Sequence, residues 1–389
     1  MFTLLVIIYL AFISLGLPDS LLGSAWPVIQ TDLSVPLSYA GIIAMIIAGG
    51  TVISSLFSAR VIKKYGTGLV TLVSVTMTAL ALLGFGLANS FLILVLWAIP
   101  LGLGAGSVDA ALNNFVALHY QAKHMNWLHC FWGIGATTGP VIMSFWLVRN
   151  NNWQLGYLSI AGLQAALVIV LLISLPLWQK ALNKLNTPQS NNNQEEAVQT
   201  LSLSQVFKIP NSKIILAGFF AYCGLELTTG LWASSYAVNS FAISSEVAAA
   251  WVSIYYLGIT VGRFLAGFLA IRFSNKQLIK LGLTSIFFGI LLLLLPLSSS
   301  KIPVALSLIG LGCAPIYPAM LHQTPRLFGK ENSQAMMGVQ MAFAYIGSTF
   351  MPPFFGLIAE YIGIFTLPIF LLILTIIMVI STRKTAVNN

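Results

Sequence analysis

Long apolar stretches make up most of the 389 residues of this chain. Twelve stretches approach or exceed the roughly 20 apolar residues that an α-helix needs to cross a bilayer. Only 7% of the residues are charged, whereas soluble domains carry about a quarter. The sequence therefore predicts an all-α integral membrane protein and excludes an ordinary soluble enzyme, a disordered chain and a nucleic-acid binder. The predicted spans cover residues 2–30, 38–59, 69–88, 91–118, 127–148, 153–178, 209–240, 244–271, 276–297, 302–325, 332–358 and 361–381.

A polar segment divides the spans six and six. Residues 179–208 are rich in Asn and short of bulky apolar side chains, which is typical of a flexible linker. We therefore expect an N-terminal six-helix bundle over 1–178, a cytoplasmic linker and a C-terminal six-helix bundle over 209–389. The first span has no basic n-region and no usual cleavage site, so we expect a mature helix there rather than a signal peptide.

The basic residues predict the orientation. Cytoplasmic loops of membrane proteins collect Lys and Arg. With both termini and the linker in the cytoplasm, the outer loops hold only Arg149 and Lys301. We therefore expect a multi-pass protein of a bacterial inner membrane with both termini in the cytoplasm, which also accounts for the net charge of +9. The cytoplasmic ends would hold Arg60, Lys63, Lys64, Lys123, Lys180, Lys184, Lys208, Lys213, Arg272, Lys276, Lys280, Arg326, Lys330, Arg383 and Lys384.

Three pairs of matching segments indicate an internal repeat. They occur in the same order in both halves, as parallel repeats of transporters do. Halves of this kind bind a solute near the midplane and expose it alternately to each side. The pairs are 102–106 with 310–314 and 59–65 with 267–273, both at an offset of 208, and Gly135 and Pro140 with Gly347 and Pro352, at an offset of 212.

With its twelve spans, central linker and repeat, the chain resembles the major facilitator superfamily. That family carries a Gly-x-Leu-Ala-Asp-Arg-x-Gly-Arg motif after the second span. Here Lys63 stands where the Asp is expected, and the copy at 267–273 also lacks the Asp. We expect Arg60, Lys63, Lys64 and Arg272 to act in structure or gating without that Asp contact.

When the charges assigned to the loops and span ends are set aside, four charged residues remain well inside the predicted spans: Asp19, Asp109, Glu226 and Arg263. A charge at mid-bilayer depth costs at least about 2.5–3.5 kcal/mol, so each should face a cavity or a partner. An acid that opens alternately to water on each side can load and release a proton. We therefore predict Asp19 and Asp109 as proton-coupling residues.

Local patterns support both acids. Gly16 and Pro18 interrupt the first span beside Asp19, and interrupted helices of transporters form binding sites. Asn113 lies four residues after Asp109, on the same helical face. The alternatives are that Asp19 caps a broken helix near the outer interface and that Asp109 makes a polar helix–helix contact.

Other polar and aromatic residues are candidates for solute binding. Sugars bind through hydroxyls to carboxylates and amides, with an aromatic ring over the apolar ring face. The candidates are Asp19, Asn113, His129, Trp132, Glu226, Trp232, Tyr236, His322 and Gln340. Trp232 and Tyr236 fit an interfacial aromatic belt equally well, and His322 and Gln340 fit helix contacts equally well. His129 also fits a cytoplasmic gate, and the five-residue spacing of the nearby histidines does not suit a zinc site.

Arg263 follows Gly262 near the middle of span eight. We favour a structural charge network in which it neutralises Glu226 or another acid. A directly coordinated anionic solute is the alternative.

The chain is most similar to the fucose–galactose–glucose:proton symporter branch of the superfamily. The resemblance implies roles in substrate recognition and protonation for the acids of spans one and four. It departs in two ways: Asp109 is a carbon shorter than the Glu of that branch, and Gly16, Leu17 and Pro18 replace its Asn residues. The matching residues are Asp19; Asp109 and Asn113; Asn126, His129, Gly133 and Gly135; and Tyr222, Gly224, Glu226, Trp232 and Tyr236.

We therefore expect a proton-coupled importer of a sugar or other small polar metabolite. Its partners would be the solute, protons and the lipid bilayer, and we expect a monomer without cofactor, metal or nucleic acid. The alternative is proton-driven efflux of amphipathic compounds. We rank a non-transporting sensor lower, because it would leave three costly intramembrane carboxylates unexplained. We rank an intramembrane enzyme lower still, because the sequence shows no catalytic pattern.

Overall fold

Helices make up the regular structure of the described residues. The computed structural model describes residues 2–120, 122–185 and 203–384, with no β-strand in those ranges. The prediction of an all-α protein is confirmed. The helices are α1 (Phe2–Asp19), α2 (Leu21–Asp32), α3 (Tyr39–Tyr65), α4 (Thr67–Gly86), α5 (Phe91–His119), α6 (Ala122–Asn150), α7 (Trp153–Leu185), α8 (Leu203–Lys208), α9 (Ser212–Phe241), α10 (Ser245–Leu269), α11 (Asn275–Leu294), α12 (Lys301–His322), α13 (Thr324–Phe328), α14 (Lys330–Ile358) and α15 (Leu367–Lys384).

Each predicted span has a helical counterpart. Within the described residues, 11 segments are long and apolar enough to cross a membrane. The last, Met336–Arg383, is 48 residues long and contains most of α14 and α15, joined by a π-turn at Ala359–Gly363. Twelve spans are therefore present when these two are counted separately.

Two helices extend beyond the predicted spans. Helix α3 continues to Tyr65, six residues beyond the predicted end, because its basic residues are good helix formers whose charges reach past the apolar zone. Helix α7 likewise continues to Leu185, into the predicted linker, and α8 occupies the end of that linker. The rest of the linker, 186–202, lies outside the described residues.

Contacts divide the chain differently from the predicted domains. One compact unit comprises Met1–Ser190 together with Ala233–Ser253, and the second comprises Asn191–Trp232 and Ile254–Asn389. Within the first unit, the Ser234 hydroxyl donates to the Ser24 carbonyl at 3.3 Å. The Ser144 hydroxyl donates to the Glu246 carbonyl at 2.8 Å. The end of α9 and the start of α10 therefore pack with helices from the first half of the chain.

The predicted break in the first span is present at Ser20, between α1 and α2. Pro18 has no N–H, so the Ser14 carbonyl four residues earlier loses its helical donor. The buried Gln164 side chain of α7 replaces it and donates to the Ser14 carbonyl at 2.8 Å. Thr78 of α4 donates to the Gln164 Oε1 at 2.7 Å. This buried network stabilises the first span where Pro18 interrupts it.

Glycines bring α1 and α6 into direct backbone contact. A Cβ at Gly135 would lie 2.1 Å from the Ile13 carbonyl oxygen, and one at Gly16 would lie 2.1 Å from the Trp132 carbonyl oxygen. A Cβ at Gly139 would meet the Leu17 carbonyl oxygen at 2.4 Å. Small residues at such positions let membrane helices approach closely. This contact fixes the spacing between the two helices beside the break.

We expect Gly135→Ala to destabilise the protein by about 1–3 kcal/mol, because the added methyl group forces α1 and α6 apart. Thermal unfolding in detergent measures the change. Gly162→Ala is the matched control, since a Cβ at Gly162 of α7 meets nothing within 4 Å. Its melting temperature should stay unchanged or rise, because Ala favours helix over Gly. Equal losses in both variants would contradict the packing argument.

Candidate functional site

The Asp19 carboxylate lies at the break of the first span. Its side chain is exposed although the residue is well inside an apolar span. The indole N–H of Trp132, on α6, donates to Asp19 Oδ2 at 2.7 Å. The structure therefore brings together two residues that the sequence singled out separately. It gives the Asp19 carboxylate both a solvent-accessible face and a fixed neutral donor.

Asp109 on α5 completes an acidic site in the first unit. The Asn113 amide donates to Asp109 Oδ1 at 2.9 Å and to its backbone carbonyl at 3.0 Å. This confirms that the two residues share a helical face. Asp109 also lies close enough to Asp19 for the two carboxylates to interact electrostatically. Both acids are thus hydrogen-bonded by neutral N–H donors.

The second unit contains an ion pair. Arg263 Nη2 of α10 lies 3.4 Å from Glu226 Oε1 of α9, and their side chains are 23% and 11% exposed. The prediction that Arg263 neutralises Glu226 is confirmed. The Tyr255 hydroxyl donates to the Glu226 backbone carbonyl at 2.9 Å, and Tyr222 donates to the Cys313 carbonyl at 3.0 Å. A tyrosine-rich environment therefore surrounds a pair whose charges balance.

Two aromatic candidates of α9 are buried. Trp232 has no exposed surface, donates its N–H to the Pro352 carbonyl at 2.9 Å and packs edge-on against Phe355. Tyr236 is 4% exposed and contacts Phe241. Both side chains contribute to packing in this structure, instead of forming an exposed interfacial belt. Their role in solute binding stays a prediction.

The remaining candidates make contacts of their own. His129 is exposed and contacts Phe12 edge-on, with 6.1 Å between ring centroids. His322 is exposed at the end of α12, where its Nδ1 lies 2.8 Å from the Asn275 amide. Gln340 is fully buried and accepts from the Thr324 hydroxyl at 2.8 Å. His322 and Gln340 thus make the helix contacts that were the alternative, and their role in solute binding stays a prediction.

The predicted gating residues lie at exposed helix ends. Arg60, Lys63 and Lys64 are exposed in the last turns of α3, and the Lys64 ammonium lies 4.9 Å from the centroid of the Tyr65 ring. Arg272 is exposed beyond the end of α10. Their role in gating stays a prediction.

Sequence reasoning missed several residues that support these groups. Gln164 has no local signal, because its partner Ser14 is 150 positions away. The Tyr9 hydroxyl lies 2.8 Å from His124 Nδ1 and joins α1 to α6. Tyr255 lies eight residues before Arg263, close to the same helical face. This spacing was the only feature of the sequence that could have linked Tyr255 to the ion pair. In the described ranges, no group of three or more His, Cys, Asp or Glu is arranged to hold a metal ion.

The family model of the major facilitator superfamily matches residues 8–212 and 214–387. The chain belongs to the major facilitator superfamily. It is therefore a membrane transporter, which confirms the predicted fold and the prediction that it is not an enzyme. The glucose/mannose transporter GlcP of Bacillus subtilis is 25% identical over 324 residues, which cover 80% of this chain and 77% of that protein.

Two sugar:proton symporters of known structure share the fold. The D-xylose-proton symporter has a TM-score of 0.76 at 12% identity and covers 99% of this chain and 97% of its own. The Escherichia coli fucose:proton symporter has a TM-score of 0.62 at 17% identity and covers 98% of both chains. At these identities the likeness shows the fold alone.

Removal of one partner of the ion pair should cost more than removal of both. We expect Arg263→Gln to destabilise the protein by about 2–3 kcal/mol, because Glu226 keeps a poorly solvated charge. The double variant Arg263→Gln with Glu226→Gln should recover at least half of that loss. Thermal unfolding in detergent tests this, with the exposed Arg272→Gln as control. A double variant as unstable as the single one would contradict the charge-balance argument.

Proposed function

We propose that the protein is a proton-coupled symporter that imports a sugar or a similar small polar solute. It would lie in a bacterial inner membrane with both termini in the cytoplasm. The observation that carries the proposal is the pair Asp19 and Asp109 in the first unit. Both acids lie inside apolar spans, and neutral N–H groups of Trp132 and Asn113 donate to them.

The surroundings of the two acids suit proton binding. A cationic partner would keep a carboxylate charged throughout a transport cycle, whereas Trp132 and Asn113 do not titrate. Asp19 is exposed in the structure, so its carboxylate can take up a proton wherever the site opens to water. Protonation removes a charge whose transfer away from water is costly. It therefore lowers the free energy required to close the site over its contents.

The ion pair supports an uncharged solute. Glu226 and Arg263 already balance each other at 3.4 Å, so an anionic solute would have to compete with the carboxylate for the guanidinium. A sugar hydroxyl adds no net charge and can donate to a carboxylate oxygen. This favours a neutral polyol over the anionic alternative.

A sugar fits the remaining chemistry. The indole of Trp132 offers an apolar face beside the Asp19 carboxylate, and sugars present both hydroxyls and an apolar ring face. One relative is a glucose/mannose transporter, and two proteins of the same fold are sugar:proton symporters. We therefore propose a monosaccharide as the first solute to test.

The cycle follows from alternating access. Asp19 and Asp109 take up a proton and contact the solute while the site is open to the outside. Protonation removes one of the two negative charges, so the site closes more readily and then opens to the cytoplasm. The proton and the solute leave there, and the negative charge returns. The inward proton gradient thus drives solute accumulation.

Substitution of the acids should separate coupling from binding. In proteoliposomes, we expect at least one of Asp19→Asn and Asp109→Asn to lose most accumulation driven by a pH gradient and to retain solute exchange. Asparagine keeps the shape of the acid but cannot release a proton. Asp32→Asn is the matched control, because Asp32 accepts a Trp hydrogen bond at the other end of the first span. Its coupling should match that of the wild type.

Proton uptake on addition of glucose, mannose, galactose, xylose or fucose tests the proposal directly. Normal accumulation in both acid variants would remove the acids from the coupling mechanism. A wild-type protein that takes up no proton with any sugar, and exports an amphipathic cation when a pH gradient is applied, would establish efflux instead.

A further inference from the structure

We propose that Trp132 is a positioning residue that sets when Asp19 releases its proton, in addition to any contact with the solute. The inference rests on the proposed function, since it requires Asp19 to carry a proton. In this proposal, one hydrogen bond between two helices controls proton release. Trp132 of α6 donates that bond to Asp19 at the break of the first span.

The bond has the geometry of a strong donor to an ionised acid. Its length of 2.7 Å lies at the short end of the range for N–H groups that donate to a carboxylate. An indole N–H can only donate and does not titrate. It therefore stabilises the carboxylate more than the neutral acid, and it competes with the proton for Asp19.

Backbone packing holds the donor in place. The Trp132 carbonyl oxygen lies against Gly16, where a Cβ would approach it to 2.1 Å. Gly135 and Gly139 make equally close contacts with the backbone of α1. The main chain of the donor is thus fixed to the turn of α1 that precedes Asp19. Asp19 ends α1 within one turn of these contacts, so the bond depends on α1 and α6 staying together at this point.

The donor of Asp109 differs in this respect. Asn113 stands one turn along the same helix, so its bond persists when helices move relative to one another. The bond from Trp132 joins two helices, so it is lost when α1 and α6 separate at Asp19. Trp132 therefore links a movement of the first span to the proton affinity of Asp19, whereas Asn113 does not.

The test compares Trp132→Phe with two matched controls. Phenylalanine keeps an aromatic ring and loses the N–H. Trp153→Phe removes an indole that donates to Asp32 at 2.9 Å, a Trp–Asp pair at the other end of the first span. Trp146→Phe removes an indole on α6 that donates to a serine at 2.7 Å. The measurement is glucose uptake, or uptake of whichever sugar drives proton uptake by the wild type, as a function of pH in proteoliposomes.

We expect Trp132→Phe to release the Asp19 proton about threefold to tenfold less readily, because a charge-assisted bond is lost at an exposed site. The midpoint of the pH profile should therefore move to higher pH by about half a unit to one unit. Neither control should move it. In the Asp19→Asn background, Trp132→Phe should produce no further shift.

A second pair of variants separates the donor from the ring. Trp132→Gln restores an N–H donor, and Trp132→Met has a similar shape without one. The glutamine variant should keep the wild-type pH midpoint, and the methionine variant should shift like phenylalanine. This pair also serves if Trp132→Phe fails to insert in the membrane.

The inference is overturned if the pH midpoint of Trp132→Phe equals that of the wild type, if Trp153→Phe shifts equally, or if the glutamine and methionine variants behave alike. An altered KM for sugar with an unchanged pH profile would reduce Trp132 to a solute-stacking residue. These outcomes leave the proposed function standing. That proposal fails separately if the wild-type protein takes up no proton with any sugar.

Discussion

The hydrogen bond from Gln164 to the Ser14 carbonyl supports the arrangement around Asp19. In a membrane, every backbone group must find a partner within the protein. Pro18 removes one donor from the first span, and the Gln164 amide supplies another from α7. The interruption is therefore stabilised beside Asp19. The glycine contacts between α1 and α6 then place Trp132 within hydrogen-bond distance of that acid.

The two units treat their intramembrane charges differently. In the first, neutral N–H groups donate to two acids. No charge on these donors opposes protonation of the acids. In the second, Arg263 and Glu226 balance each other. Both arrangements reduce the cost of charge in an apolar span, but the acids of the first unit have uncharged donors where Glu226 has a cation. The proposed coupling chemistry is thus confined to the first unit.

The sequence predicted what depends on local pattern. Span length identified the helices, Pro18 identified the break, and the four-residue spacing identified Asn113 as the partner of Asp109. Contacts between distant segments left no such signal. The Gln164 network joins α1, α4 and α7, and nothing near Trp232 indicates that its N–H meets the Pro352 carbonyl. The ends of α3 and α7 were missed because helix propensity continues after the apolar pattern stops.

The segment Ala233–Ser253 follows the linker in the chain but packs with the first unit. Ser24 and Ser144 find hydrogen-bond partners there. A fragment that ends in the linker would lack these partners and expose the surface that the segment covers. The boundary of the packed unit therefore does not coincide with the linker.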